Sequence, residues 1–210
     1  MLLGIDYSIN SPAICVLQDE ITFFSFPRVG SIKESTMKSL IDCQVIVKEV
    51  PAEPKNTTKG KVAEFERHYF RDCLTQTEII SNELPKGENP VVAFEGFSFA
   101  SNGNRLAQLS GYQYMLRWRL HDEHCMQFDD LHIYSPMTVK STAGKGNFKK
   151  EQMIDAFIAS DDERLRNTSF WKAISQSPEL FQTKTGKWVK PIDDIVDSYW
   201  VLRTLEKNNL

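Results

Sequence analysis

Two rhythms of apolar and polar positions run along this chain. The opening run "MLLGIDYSINSPAICVL" has a short apolar segment ending on an aspartate, a polar turn and a second apolar segment, which predicts a two-stranded hairpin. "EITFFSF" (20–26) predicts a third strand and an antiparallel start. Residues 40–62, with "PAEPKNTTKGK", are rich in turn formers and charge, and read as an inserted loop with short strands in its first part. Over 62–84 the period changes. Val62, Phe65, Tyr69, Leu74 and Ile80 recur at near-helical spacing, and "LPKGENP" stops the helix.

"VVAFEGF" (91–97) is a nearly continuous apolar run of strand length, as in a central strand buried on both faces after a crossover helix. In "NRLAQLSGYQYMLRWRLHDEH", Leu106, Leu109, Tyr112, Gln113, Leu116 and Leu120 fall close to a 3.6-residue period and predict a helix. "LHIYSP" (131–136) predicts a strand, and "KKEQMIDAFIAS" and "DDIVDSYWVLRTLEKN" predict helices. The fold class expected is α/β, a mixed central sheet with three antiparallel N-terminal strands flanked by helices.

At 210 residues and 41% hydrophobic content the chain can bury one substantial core, so a single domain over 1–210 is expected, with insertions near 40–62 and 160–190. No stretch approaches the roughly 20 apolar residues of a membrane span, and the N-terminus lacks a charged region followed by a cleavable apolar one. These features predict a soluble, cytoplasmic protein with no membrane partner. Cys15, Cys43, Cys73 and Cys125 contain no Cys-x-x-Cys pair and read as reduced, mostly buried thiols. The net charge of −3 by itself argues against nucleic acid, yet lysines concentrate in "VKSTAGKGNFKKEQ" (139–152), which predicts a local basic face.

Four carboxylates stand out. Asp6 sits between Ile5 and Tyr7, and Glu95 inside "VVAFEGF"; a charge in either strand is costly unless it is exposed at an edge or bound to something. Either alone also reads as a salt-bridged structural acid. In "DDIVD", Asp194 and Asp197 are three apart and share a helical face, whereas Asp193 points about 100° away and suits N-cap or first-turn duty. A solvated acidic face is the bland reading of that pair. The apolar "SYWVL" that follows must pack inward and counts against it. Four carboxylates suit two hard divalent cations, one activating water and the other stabilising a leaving oxygen, which is the chemistry of phosphodiester hydrolysis.

The four blocks in order resemble the RuvC family of Holliday-junction resolvases. "GIDYSINSPAICV" resembles its first strand and turn, with Asp6 as the first acid, and "AFEGFSFASNGNRLAQLSGYQYML" resembles its second motif, with Glu95 followed by Leu106, Gln108 and Gly111. "YSPMTVKSTAGKGNFKKEQM" resembles its third, through Pro136, Val139, Lys140, Gly144, Gly146, Lys150 and Gln152, and "DDIVDSYWVL" its final Asp-x-x-Asp helix.

The resemblance implies an RNase H-like fold, a homodimer and nicking of four-way junctions in DNA recombination and repair. It also implies Mg2+, two ions with Mn2+ as a substitute, held by Asp6, Glu95, Asp194 and Asp197. It places Lys140 and Lys150 at the rim of the catalytic site, against the scissile phosphate. Ordinary solvated surface is the alternative for these lysines. Phe97, Phe99, Asn102, Arg105, Lys145 and Lys149 are further candidates for DNA contact. The family's junction-wedging aromatic falls at Ser98 here, so flanking Phe97 or Phe99 would stack on a base, the alternative being that both are core. The spans from Asp6 to Glu95 and from Lys150 to Asp194 are longer than in RuvC. Together with the net acidity, this makes a divergent, insertion-bearing chain similar to the viral members.

Other readings are a same-fold nuclease of RNA, RNA–DNA hybrid or other branched DNA, and a catalytically inactive nucleic-acid-binding protein. An actin-like or sugar-kinase ATPase shares the Gly-x-Asp strand but needs a larger two-lobed chain. "HDEHC" (121–125) lacks a fourth zinc ligand at suitable spacing, and "GKG" (144–146) lacks P-loop spacing.

Overall fold

A computed structural model describes residues 1–54, 62–86, 89–97 and 103–209. Its six strands are β1 (Leu2–Asp6), β2 (Ala13–Leu17), β3 (Ile21–Ser25), β4 (Ile46–Val47), β5 (Val91–Glu95) and β6 (Leu131–Tyr134). They form one sheet in the order β4-β3-β2-β1-β5-β6, with β1, β2 and β3 antiparallel and β5 and β6 joined parallel to β1. The helices are α1 (Glu34–Asp42), α2 (Val62–Glu83), α3 (Gly103–His124), α4 (Pro136–Ala143), α5 (Lys150–Ala159), α6 (Glu163–Asn167), α7 (Ser169–Gln176) and α8 (Ile192–Asn209). No helix among the described residues is long and apolar enough to cross a membrane.

Strand alternation divides the core into two layers. Leu3, Ile5 and Tyr7 with Val92 and Phe94 face one side, where they pack with Tyr69 and Ile80 of α2 and Tyr112, Leu116 and Leu120 of α3. Leu2, Val91 and Ala93 face the other, against Ile195, Tyr199 and Leu202 of α8. The close approach of α8 to β1 depends on Gly4. A Cβ there would lie 2.3 Å from the Leu202 backbone nitrogen and 2.4 Å from the Ser198 carbonyl.

The α8 helix is buried over most of its length from Ile192 to Leu205, so it has cover on its outer side as well. Residues 160–190 supply it: Leu165, Phe170, Ile174 and Phe181 are all at most 1% exposed. Phe157, Phe170 and Tyr199 make edge contacts, with centroids 5.9 Å apart for the first two and 5.2 Å for Phe157 and Tyr199. Each buried phenylalanine is worth about 1.5–3 kcal/mol of hydrophobic transfer. This segment is therefore core.

Several elements differ from the sequence reading. The strand expected over 131–136 stops at Tyr134, because Ser135 accepts the Thr138 N–H through its hydroxyl and Pro136 opens α4, a helix not anticipated. No element was assigned to 34–42, yet α1 buries Leu40 completely. Only Cys15 and Cys73 are buried; Cys43 is half-buried and Cys125 exposed, and all four are free thiols.

Candidate active site

The register Ile5 to Phe94 carries β1 and β5 to a common end, where Asp6 and Glu95 are the last strand residues. By alternation both project to the α8 face of the sheet. At that end α8 begins, with Asp193 and Asp194 in its first turn, where the helix dipole favours carboxylates. Asp6, Glu95, Asp194 and Asp197 consequently line one open cleft of about 990 Å³. Lys140 of α4 and Lys150 of α5 stand on its rim.

The acids disturb one another. Withdrawal from water raises the Asp6 carboxyl well above its usual range, and the charges of Glu95, Asp194 and Asp197 add to the shift. Burial also raises Glu95, against the pull of Lys140, while Asp6 hydrogen-bonds to it. Asp197 is pushed up to about 8 by burial and then by Glu95. Asp194, 3% exposed, is raised by burial and Asp193, and is steadied by Lys190 and Ser11. Asp193 behaves in the opposite way: burial would raise it, but Lys190 and Lys150 hold it below the ordinary carboxylate range. The cleft thus brings together four carboxyl groups, Asp6, Glu95, Asp194 and Asp197, with three lysines, Lys140, Lys150 and Lys190.

The remaining candidates separate. Lys150 reaches the rim, but its ammonium pairs with Asp193. Arg105 lines the cleft wall with its guanidinium engaged by Glu53. Phe97 is half-buried on the same wall. Lys145 and Lys149 are exposed outside that lining; the Lys149 N–H donates to Gln152 Oε1 at 2.8 Å, starting α5. Phe99 and Asn102, and with them Ser98, lie outside the described residues. In "HDEHC", His121 Nδ1 contacts the Met126 carbonyl at 2.7 Å and His124 Nε2 the Ser81 hydroxyl at 3.0 Å.

Three site residues escaped sequence reasoning: Ser11, whose hydroxyl donates to Asp194 Oδ2; Lys190; and Gln113, whose amide donates to the Glu95 carbonyl at 3.3 Å. Ser11 was visible only as a turn former, and Lys190 lay in a segment read as an insertion.

The donor set, all carboxylate oxygen, fits a hard divalent cation. Among the described residues, however, no three His, Cys, Asp or Glu side chains stand as a group able to hold a metal ion in this conformation. Asp194 is committed to Lys190 and Ser11, and Asp6 to Glu95.

An antiparallel β1–β2–β3 unit extended by parallel β5 and β6, with acids at the ends of β1 and β5, decides the fold class. The fold is RNase H-like. No protein-family model matches the chain, and no curated protein does. Solved structures similar to this RNase H-like chain include RuvC from Thermus thermophilus (14% identity, 98% of this chain and 95% of that one, TM-score 0.44). T. thermophilus RuvC in complex with Holliday junction substrate gives 11% identity, 99% and 95% coverage, and a TM-score of 0.47. The yeast mitochondrial Holliday junction resolvase Ydc2 gives 9%, 97% and 76%, and 0.40.

Proposed function

We propose that this chain is a divalent-metal-dependent endonuclease of branched DNA that resolves four-way junctions by paired nicks. The observation that carries the reading is the meeting of Asp6, Glu95, Asp194 and Asp197 in one open cleft with a lysine rim. The preference for four-way junctions rests on the four ordered sequence blocks that resemble RuvC.

In this reading the four acids would hold Mg2+, two ions with Mn2+ as substitute, which would supply Lewis acidity for phosphodiester hydrolysis. Asp6 and Glu95 are anchored at the ends of paired strands, which fixes their backbones relative to each other. Asp194 and Asp197 close the site from one helical face. Lys140, Lys150, Lys145 and Lys149 bind phosphate oxygens, and Arg105 and Phe97 contact the strand entering along the wall. Paired nicking requires two sites related by a two-fold axis, hence a homodimer. Tyr114 and Trp118 of α3, 63% and 53% exposed, support an interface there.

The test is a cleavage panel of four-way, three-way, flap, hybrid, duplex and single-stranded substrates with Mg2+. The four-way junction should be cut fastest, at symmetric positions on opposite strands. Asp6→Asn should slow cleavage on the order of 10³-fold while junction binding persists, because a metal's charge stabilisation is worth several kcal/mol and about 1.4 kcal/mol is tenfold. Retained turnover in that variant removes Asp6 from the mechanism, and unpaired nicks count against the dimer.

A further inference from the structure

Lys190 pairs with both carboxylates that open α8. It lies just before α8, half-exposed, with its ammonium 2.6 Å from Asp194 Oδ1 and 2.9 Å from Asp193 Oδ2, and it lines the same cleft as Asp6, Glu95 and Asp197. Ser11 donates to the other Asp194 oxygen, so both oxygens of that carboxylate are occupied. A hard divalent cation needs those lone pairs, and an ammonium on the same oxygen competes with it by charge and by space. Being tethered, the ammonium competes at high effective concentration.

We propose that Lys190 is a built-in counter-ion that occupies Asp194 in the metal-free protein and leaves it when a divalent cation binds, so that this lysine sets the metal affinity of the site. The inference rests on the reading of Asp194 as a metal ligand. Two features make the exchange feasible. The lysine side chain is 50% exposed and has open cleft beside it to swing into. Asp193, whose Oδ2 also takes the Lys150 ammonium, supplies a second anchor on the neighbouring helix position, so the displaced Lys190 ammonium keeps a carboxylate partner. In this account Asp193 is a parking site rather than a metal ligand. Lys190 is a positioning residue that acts through Asp194.

Calorimetric titration with Mg2+ alone, without DNA, separates the possibilities when wild type is run beside Lys190→Met and the charge-retaining Lys190→Arg. Lys190→Met should bind Mg2+ at least about tenfold tighter, the factor expected from removing one unit charge a few ångströms from the ligands. Lys190→Arg should stay near wild type. With chelator present, Lys190→Met should melt about 2–4 °C below wild type, because the acids lose their counter-ion, and Mg2+ should close that gap. Lys190→Gln gives the same readouts if the methionine variant folds poorly. Unchanged or weaker Mg2+ binding in folded Lys190→Met or Lys190→Gln, with wild type binding normally, overturns the inference and leaves the nuclease reading standing. No Mg2+ binding by any of the proteins overturns both.

Discussion

Among the described residues, two clusters of charge are buried on opposite faces of the sheet. On the α2 and α3 face, Arg28 and Asp72, with side chains 4% and 5% exposed, form a bidentate pair with both contacts at 2.7 Å. Every donor of that guanidinium is used: Nε reaches the Ile9 carbonyl at 2.9 Å, Nη1 the Pro51 carbonyl at 2.8 Å, and Nη2 the Tyr112 hydroxyl at 3.3 Å. On the α8 face, Asp6, Glu95, Asp194 and Asp197 meet with too few cations and open to a cleft. The first cluster is closed and balanced, as a structural network must be to survive burial. The second is unbalanced, a state the fold tolerates only because water, lysines and, in the proposed function, metal reach it. Removing one charge should therefore have opposite effects on stability in the two places.

Breaking the balanced cluster should give the largest change. Arg28→Ala leaves the Asp72 carboxylate buried without its partner and should cost about 3–5 kcal/mol in thermal or denaturant unfolding. The double variant Arg28→Met with Asp72→Leu should recover most of that loss, since the lone charge rather than the missing pair is what destabilises. A double variant as unstable as the single one would mean that the network stabilises through its hydrogen bonds to Ile9 and Pro51.

In the unbalanced cluster the sign should reverse. Asp197→Asn removes a carboxylate that burial and Glu95 oppose. With chelator at pH 7 the variant should melt a few degrees above wild type, roughly 1 kcal/mol of stabilisation. Asp197 is the better choice for this test than Asp194, whose carboxylate has Lys190 and Ser11 as partners. A lower melting temperature would show that Asp197 is held by favourable contacts, and would erase the contrast between the two faces.

A third cluster, half-exposed, should give the smallest effect. Burial would raise the Asp162 carboxyl, but the hydrogen bonds and charge of Arg164, with Arg203, hold it below the usual range. Its stabilisation is present above the unfolded value of about 3.9 and is lost as the pH falls through the lower folded value. Asp162→Asn keeps an oxygen for the Arg164 N–H at the start of α6, so it should remove only this acid-dependent part. Melting curves between about pH 2 and pH 4 should fall less steeply in the variant, by about 2 °C or less overall. Parallel curves would assign Asp162 to capping alone.

Much of this architecture was legible locally. Short apolar runs between turn formers placed β1, β2, β3 and β5, near-helical spacing placed α2 and α3, "KKEQMIDAFIAS" and "DDIVDSYWVLRTLEKN" placed α5 and α8, and the spacing in "DDIVD" put Asp194 and Asp197 on one helical face with Asp193 about 100° away. Asp6 and Glu95 were visible as charges in apolar strands. These signals depend only on neighbours a few residues apart, so the sequence by itself determined them. It did not determine which charge meets which. Ser11 joins Asp194 across 183 positions, and Lys150 joins Asp193 across 43. Arg105, a candidate for DNA contact, spends its guanidinium on Glu53 at a separation of 52. Residues 160–190 read as an insertion because the span from Lys150 to Asp194 is longer than in RuvC; in the fold they cover the outer side of α8. Only tertiary structure decided these partners, because ion pairing and burial depend on distance in space; for Ser11 and Asp194 the close approach of α8 to β1 at Gly4 helps set it.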